Sequence, residues 1–219
     1  MNNLGLYVNN ISHPVTNLGP GRRMVIWLEG CLFSCKGCMA VSMKEQRESH
    51  KMKIGDVFSA VNVAALELDG VTISGGEPFY QQEGLREILS LIVSNTDLDI
   101  MIYSGYTIEE LRNKGDIAAD ILAMTDVLVD GRFEEDADNK KLWRGSDNQR
   151  FIILSDRASK YAGFAEENYS ENRPLMFEVA SNNELRIIGI PQRGFLKDLE
   201  NNLLKKGLGL PTLTKDKAK

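Results

Sequence analysis

Apolar positions along the chain fall into blocks that predict strands and helices in alternation. Continuous apolar runs have the form of strands buried on both faces of a parallel sheet, and they occupy Met24–Leu28, Gly70–Ser74, Asp99–Tyr103 and Thr125–Asp130. Between them, apolar residues recur at the spacing of one helix face, in Ile54–Leu68, in Glu83–Ser94 and from Thr107 to Leu122. The regular alternation favours an α/β fold with a parallel sheet or partial barrel.

Less regular sequence flanks this alternation on both sides. Apolar and polar residues alternate from Leu6 to Ile11 as in a short strand, and Arg150–Leu154 predicts a fifth strand. Nearer the C-terminus, the pattern predicts a hairpin formed by Leu175–Ala180 and Glu184–Ile190, followed by a helix over Phe195–Leu204.

Length and charge narrow the picture further. With 219 residues, the chain is expected to form a single domain, with a core at about 24–154 and a C-terminal extension at about 155–219. Its 26 basic and 31 acidic residues give a net charge of −5, which offers no electrostatic reason to expect nucleic acid or an anionic membrane as a partner. The chain lacks a signal-like N-terminus and a long apolar span, so we expect a cytosolic protein.

All three cysteines of the chain lie close together, as Cys31, Cys35 and Cys38. An odd number of clustered cysteines does not suit a disulfide framework, so metal binding or redox chemistry is the better interpretation. Structural zinc would need a second pair of ligands, and His13 and His50 are the only imidazoles. Three thiolates fit a [4Fe–4S] cluster that keeps one iron open to a ligand other than protein.

A second segment of interest is Gly75–Pro78, with the sequence Gly-Gly-Glu-Pro. By itself it is only a turn signal. It directly follows a buried strand, however, as the cysteine loop does, and α/β proteins gather their active sites at the carboxyl ends of such strands. The intervening segment Lys44–Lys53 is charged and is expected to be exposed.

Together, the C-x3-C-x2-C loop and the Gly-Gly-Glu-Pro segment closely resemble those of the radical S-adenosylmethionine enzymes. The resemblance implies an open, parallel (β/α)6-type barrel with a small C-terminal hairpin and helix. It also implies two cofactors, a [4Fe–4S] cluster held by the three cysteines and S-adenosylmethionine on its open iron. Cleavage of S-adenosylmethionine would yield a 5′-deoxyadenosyl radical that abstracts hydrogen. The residues implied to bind the methionine end are Ser74, Gly75, Gly76, Glu77 and Pro78.

Further motifs resemble the small activases of anaerobic ribonucleotide reductase. These are Gly37 before the third cysteine, Tyr103–Tyr106, Val129–Phe133 and Trp143–Arg150. Gly37, Ser104, Gly105 and Asp130 are implied to bind cofactor, and Tyr106, Trp143, Arg144, Asn148 and Arg150 to contact the partner or substrate. The implied partners are a glycyl-radical enzyme, whose glycine would lose a hydrogen, and a flavodoxin- or ferredoxin-type electron donor.

Several alternatives remain open at the level of sequence. Trp143 also fits a core position, Arg144 and Arg150 also fit surface salt bridges, and Asp130 also fits a cap on the following turn. The segment before the first buried strand and the C-terminal extension depart from the activase pattern. An enzyme that modifies a peptide or another substrate from an activase-like core is therefore a second hypothesis. A non-catalytic iron–sulfur module for electron transfer or binding is a third.

Overall fold

The computed structural model describes residues 4–137, 140–170, 173–179 and 185–207. The chain divides into two compact units, residues 1–171 and residues 172–219. The single domain predicted from sequence, with its extension beginning near residue 155, stays a prediction, and the boundary between the two units falls later in the chain. Within the described ranges, no helix combines the length and the apolar character needed to cross a membrane.

The first unit is built on a seven-stranded sheet with the order β3-β1-β2-β4-β5-β6-β7. Its strands are β1 (Gly5–Val15), β2 (Arg23–Leu28), β3 (Lys51–Lys53), β4 (Gly70–Gly75), β5 (Asp99–Ser104), β6 (Val127–Asp130) and β7 (Arg150–Ile153). The four apolar runs predicted as buried strands are β2, β4, β5 and β6, which lie side by side and pair in parallel. The sequence prediction of a parallel-rich α/β fold is therefore confirmed at its centre.

The strands at the edges of the sheet are antiparallel to their neighbours. β1 pairs antiparallel with β2 and β3, and β7 pairs antiparallel with β6. The described residues of the connection from β6 to β7, 131–137 and 140–149, form no helix that would return the chain to the start of the sheet, and β7 runs back beside β6. The sheet thus contains four parallel strands flanked by antiparallel ones, and a (β/α)6 barrel is not confirmed.

Helices cover one face of this sheet. They are α1 (Ile54–Ala64), α2 (Gln82–Asn95), α3 (Ile108–Arg112) and α4 (Asp116–Ala123). The helix predicted from Thr107 is interrupted at Gly115, whose φ of 107° is left-handed. Thr107 and Glu110 form a capping box at the start of α3. Alternate residues of the central strands, such as Ile26 and Ile102, pack against the helices in one fully buried core.

The amino end of the central strands is closed by a buried polar network around Arg23. This guanidinium is fully buried and pairs with Asp99 at 2.7 Å. It also donates to the Thr72 hydroxyl at 2.6 Å and to the Val71 carbonyl at 2.9 Å. The Tyr161 hydroxyl donates to the second oxygen of Asp99 at 2.7 Å. The two buried charges at this end of the sheet are therefore paired with each other, and each also has a hydrogen-bond partner.

The second unit contains the hairpin and the helix predicted from the sequence. Its strands are β8 (Met176–Val179) and β9 (Leu185–Ile188), which pair antiparallel, and its helix is α5 (Phe195–Lys205). The predicted hairpin turn, together with Ala180 and Glu184, lies outside the described residues.

Candidate functional site

The cysteine loop and the Gly-Gly-Glu-Pro segment meet at the carboxyl edge of the sheet. β2 and β4 are adjacent and parallel, with Leu28 in register with Gly75. The Gly76 amide donates to the Leu28 carbonyl at 2.8 Å, and the Glu77 amide donates to the Gly30 carbonyl at 2.8 Å. The two loops that the sequence singled out are therefore joined by backbone hydrogen bonds immediately before the first cysteine.

The paired glycines make this contact possible. A Cβ atom on Gly76 would lie 2.4 Å from the Gly30 carbonyl oxygen and 2.9 Å from that of Met43. Gly75 has a φ of 112°, and its Cβ would lie 2.3 Å from the Leu28 carbonyl oxygen. The resemblance implied that these glycines bind the methionine end of S-adenosylmethionine. In the structure, they allow the two loops to approach each other.

Glu77 connects this segment to the next loop along the sheet. Its carboxylate is 2% exposed and accepts hydrogen bonds from the Phe79 amide at 3.0 Å, the Ser104 hydroxyl at 2.9 Å and the Gly105 amide at 2.7 Å. Burial outweighs these hydrogen bonds and raises the pKa of Glu77 to about 7. Ser104 and Gly105 were predicted to bind cofactor, and the structure shows them holding Glu77.

The three cysteines are free thiols and partly exposed. Burial raises the pKa of the Cys31 thiol, with smaller contributions from Glu77 and the other two cysteines. As the side chains stand, no group of three or more His, Cys, Asp or Glu residues in the described parts of the chain is arranged to hold a metal ion. The donor set itself fits an iron–sulfur cluster, because three soft thiol ligands lie on one loop and none is used in a disulfide.

Aromatic and charged contacts support the outer part of the cysteine loop. Phe33 packs edge-on against Tyr106, with ring centroids 4.8 Å apart, and the Arg132 guanidinium lies 4.6 Å from the Phe33 ring. At the tip, Lys36 pairs with Glu135 at 3.0 Å. Gly37 has a φ of 72° and is packed against Glu135. The cysteine loop thus rests on the loops that follow β5 and β6.

The sequence interpretation missed a carboxylate at the base of the cysteine loop. Glu29 is fully buried and contacts Arg47 and His50, which belong to the segment expected to be exposed. Although burial opposes ionisation, hydrogen bonds from Arg47, Asn9 and His50 lower the pKa of Glu29 to about 2. Its place directly before Gly30 was visible in the sequence, but its partners were not.

Unpartnered polar side chains lie on the sheet face away from the helices. Trp27 and Ser74 are in register on β2 and β4, both half-buried. Neither the Trp27 indole nor the Ser74 hydroxyl has a hydrogen-bond partner within the part of the chain that the structure describes. On β5, the Tyr103 hydroxyl is buried, and it too lacks a partner among the described residues. Such groups fit a face that receives a polar ligand.

Comparison with known proteins gives a family for the part of the chain that contains these loops. A family model described as a 4Fe-4S single cluster domain matches residues 17–152, which include every loop described above. This chain belongs to that iron–sulfur family.

Similar proteins include anaerobic ribonucleoside-triphosphate reductase-activating proteins. The one from Enterobacteria phage T4 is 34% identical over 149 residues, which cover 65% of this chain and 91% of the relative. Those from Vibrio cholerae and Escherichia coli K12 are 34% and 30% identical over 139 residues, covering 60% of this chain and 87% and 88% of the relatives. The similarity therefore extends over most of the length of each relative.

Within the iron–sulfur domain, Asp130 is engaged in holding the structure together. Its carboxylate is 1% exposed, accepts the Ile108 amide at 2.7 Å at the start of α3 and pairs with Arg150. Arg150 also pairs with Glu109 at 2.7 Å. The alternative of a salt bridge for Arg150 describes what the structure shows, whereas Asp130 caps the start of α3 and not the turn that follows it. The predicted roles of Asp130 in cofactor binding and of Arg150 in partner contact stay predictions. The carboxylate of Asp130 and the guanidinium of Arg150 are both engaged in the bonds described here.

The rest of the Trp143–Arg150 motif also makes internal contacts. Trp143 is 8% exposed, has a left-handed φ of 53° and packs against Phe151 and Phe164. Arg144 is 2% exposed and donates to the Ala165 carbonyl at 2.6 Å. Asn148 is exposed, and its side-chain amide donates to the Arg132 carbonyl at 2.8 Å. The motif therefore braces the loop after β6, which in turn supports the cysteine loop.

Proposed function

We propose that this chain is a radical S-adenosylmethionine enzyme that activates a glycyl-radical enzyme. The observation that carries the proposal is the hydrogen-bonded contact between the cysteine loop and the Gly-Gly-Glu-Pro loop at the carboxyl edge of the parallel strands. The relatives named as activating proteins of anaerobic ribonucleoside-triphosphate reductase support a protein partner of that kind.

In this proposal, Cys31, Cys35 and Cys38 hold a [4Fe–4S] cluster with one iron open to S-adenosylmethionine. When bound, these groups would supply one-electron cleavage to methionine and a 5′-deoxyadenosyl radical, which takes a hydrogen atom from a glycine of the partner. The electron comes from an external reductant. Because the step is hydrogen-atom transfer, the chain needs no general base, and its own residues bind and orient the cofactors and keep water out.

Two features support a binding place for the methionine end of S-adenosylmethionine. Trp27 and Ser74 present unpartnered polar groups beside the Gly-Gly-Glu-Pro loop. Glu77 is a buried carboxyl whose ionisation is held back by burial, and a cationic ammonium near it would favour the ionised carboxylate and be attracted by it. Its three hydrogen bonds also keep the loops after β4 and β5 together.

The test is anaerobic reconstitution of the full chain with iron and sulfide, followed by S-adenosylmethionine and a chemical reductant. We expect 5′-deoxyadenosine and methionine in equal amounts, and none above background from the Cys38→Ala variant. Adding an anaerobic ribonucleotide reductase should give a glycyl radical by electron paramagnetic resonance. Absence of 5′-deoxyadenosine from protein that holds the cluster would refute the enzymatic proposal. Cleavage without a glycyl radical would refute the glycine target alone.

A further inference from the structure

A buried charge cluster closes the base of the cysteine loop. It is centred on Glu29, the residue after β2 and two residues before Cys31, and its carboxylate has no exposed surface. The chain leaves the sheet here, runs through the three cysteines and returns along Met43–His50. A carboxylate at this point is therefore placed between the outgoing and the returning chain.

The partners of Glu29 come from the returning segment and from β1. The Arg47 amide donates to Oε2 at 2.9 Å and the Arg47 Nε to Oε1 at 2.9 Å, and the terminal guanidinium nitrogen makes a further short contact. His50 Nδ1 lies 2.8 Å from the same Oε1. The Asn9 side-chain amide donates to it at 3.2 Å. One buried carboxylate thus organises two chain segments through charge-assisted hydrogen bonds.

Backbone hydrogen bonds at the same level close the loop. The Gly30 amide donates to the Met43 carbonyl at 2.8 Å, and the Cys31 amide donates to the Lys44 carbonyl at 3.0 Å. These bonds join the outgoing chain to the returning chain one and two residues after Glu29. The hydrogen bonds of Glu29 and these backbone hydrogen bonds therefore join the same two chain segments. Loss of the Glu29 hydrogen bonds is expected to weaken the backbone hydrogen bonds as well.

We propose that Glu29 is a positioning residue that holds the returning segment against the end of β2 and so fixes the entry of the cysteine loop. It acts through Arg47 and is not one of the residues proposed to bind the iron–sulfur cluster. The inference rests on the proposed function only for the assignment of a cluster to Cys31, Cys35 and Cys38. Without Glu29, Gly30 and Cys31 would still be present, but the returning chain would lose its buried anchor.

The first test uses the protein without a cluster. Hydrogen exchange at the Gly30 and Cys31 amides reports whether the loop base is closed. Loss of one hydrogen bond to a charged group should speed exchange at both amides about tenfold or more in Glu29→Gln. The matched control is Glu48→Gln, which makes the same chemical change in the returning segment at a residue that bonds Tyr7 instead. It should leave both amides at the wild-type rate.

The second test follows the reconstituted cluster. In Glu29→Gln and in Arg47→Met, we expect iron release to a chelator to be several-fold faster than in wild type, as the loss of one charge-assisted hydrogen bond would cause. We also expect the electron paramagnetic resonance spectrum of the reduced cluster to change. Arg47→Lys keeps the charge and should recover most of the wild-type behaviour. Because Arg47→Lys keeps a cation beside the buried Glu29 carboxylate, it should fold even where Glu29→Gln or Arg47→Met does not.

Two outcomes would overturn the inference. One is wild-type exchange at the Gly30 and Cys31 amides in Glu29→Gln. The other is equal cluster retention by Arg47→Met, Arg47→Lys and wild type. Neither outcome bears on the proposed activity, which instead fails if wild-type protein takes up no cluster or holds one and does not cleave S-adenosylmethionine.

Discussion

Replacing Gly76 with alanine tests whether the contact between the two loops defines the site. The added Cβ would lie 2.4 Å from the Gly30 carbonyl oxygen and 2.9 Å from the Met43 carbonyl oxygen. Both are backbone atoms, so neither can move away by changing a side-chain rotamer. The Gly30 carbonyl also accepts the hydrogen bond from the Glu77 amide. The substitution must therefore separate the loops next to Cys31.

The size of the effect follows from the contact distances. A methyl group forced into a packed site typically costs about 1–3 kcal/mol, and two backbone contacts below 3 Å place Gly76→Ala in the upper part of that range. Gly55→Ala is the matched control, because Gly55 lies in α1 and its Cβ would meet no atom within 4 Å. Alanine at such a helical position is more stable than glycine by about 0.5–1 kcal/mol. The two variants should shift the free energy of unfolding in opposite directions.

Urea unfolding of the cluster-free protein under reducing conditions measures both shifts. We expect a lower midpoint for Gly76→Ala, a higher midpoint for Gly55→Ala and unchanged slopes. After reconstitution, Gly76→Ala should also bind less iron, whereas Gly55→Ala should match wild type. Wild-type stability and iron content in Gly76→Ala would show that the loops do not depend on their contact, and the reasoning would be refuted.

Three further predictions concern other groups. Arg23→Met leaves the Asp99 carboxylate buried without its cation, so it should lower the free energy of unfolding by about 3–5 kcal/mol, measured by urea unfolding. The folded pKa of Glu77, about 7, lies above the ordinary 4.5, so its stabilising contribution is present below pH 4.5 and is lost as the pH rises through 7. Between pH 4.5 and pH 7, the free energy of unfolding of the cluster-free wild type should fall by on the order of 3 kcal/mol relative to that of Glu77→Gln. Urea unfolding at each pH measures this difference. In the variant Trp143→Phe, Trp27 is the sole tryptophan of the chain, and binding of S-adenosylmethionine should change its fluorescence. Constant fluorescence at saturating S-adenosylmethionine would contradict a binding site beside β2.

The centre of the fold was predictable because its signal is local. β2, β4, β5 and β6 are apolar runs buried on both faces, and such runs are readable from the sequence alone. The loops after β2 and β4 could be placed together for the same reason, since consecutive parallel strands end at one edge. The antiparallel direction of β7 could not be predicted. Its apolar pattern resembles that of a parallel strand, and its direction depends on how the preceding loop packs.

Predictions of individual side chains were less successful where a tertiary partner decides the role. Arg47 and His50 belong to a charged segment, and charge favours solvent unless a buried partner is known. That partner is Glu29, eighteen residues before Arg47. Conversely, Trp143 and Arg144 suggested contact with a partner protein, yet both are buried in the first unit.

The motif residues therefore divide according to the state of their polar groups. Asp130 and Arg150 bond each other and their neighbours, so binding a cofactor would first require breaking those bonds. The Trp27 indole and the Ser74 hydroxyl have no bond to break among the described residues. Forming a hydrogen bond with a ligand is more favourable when no existing bond has to be broken. Variants of Trp27 and Ser74 should consequently weaken cofactor binding with little loss of stability, whereas variants of Asp130 should first destabilise α3 and the loop after β6.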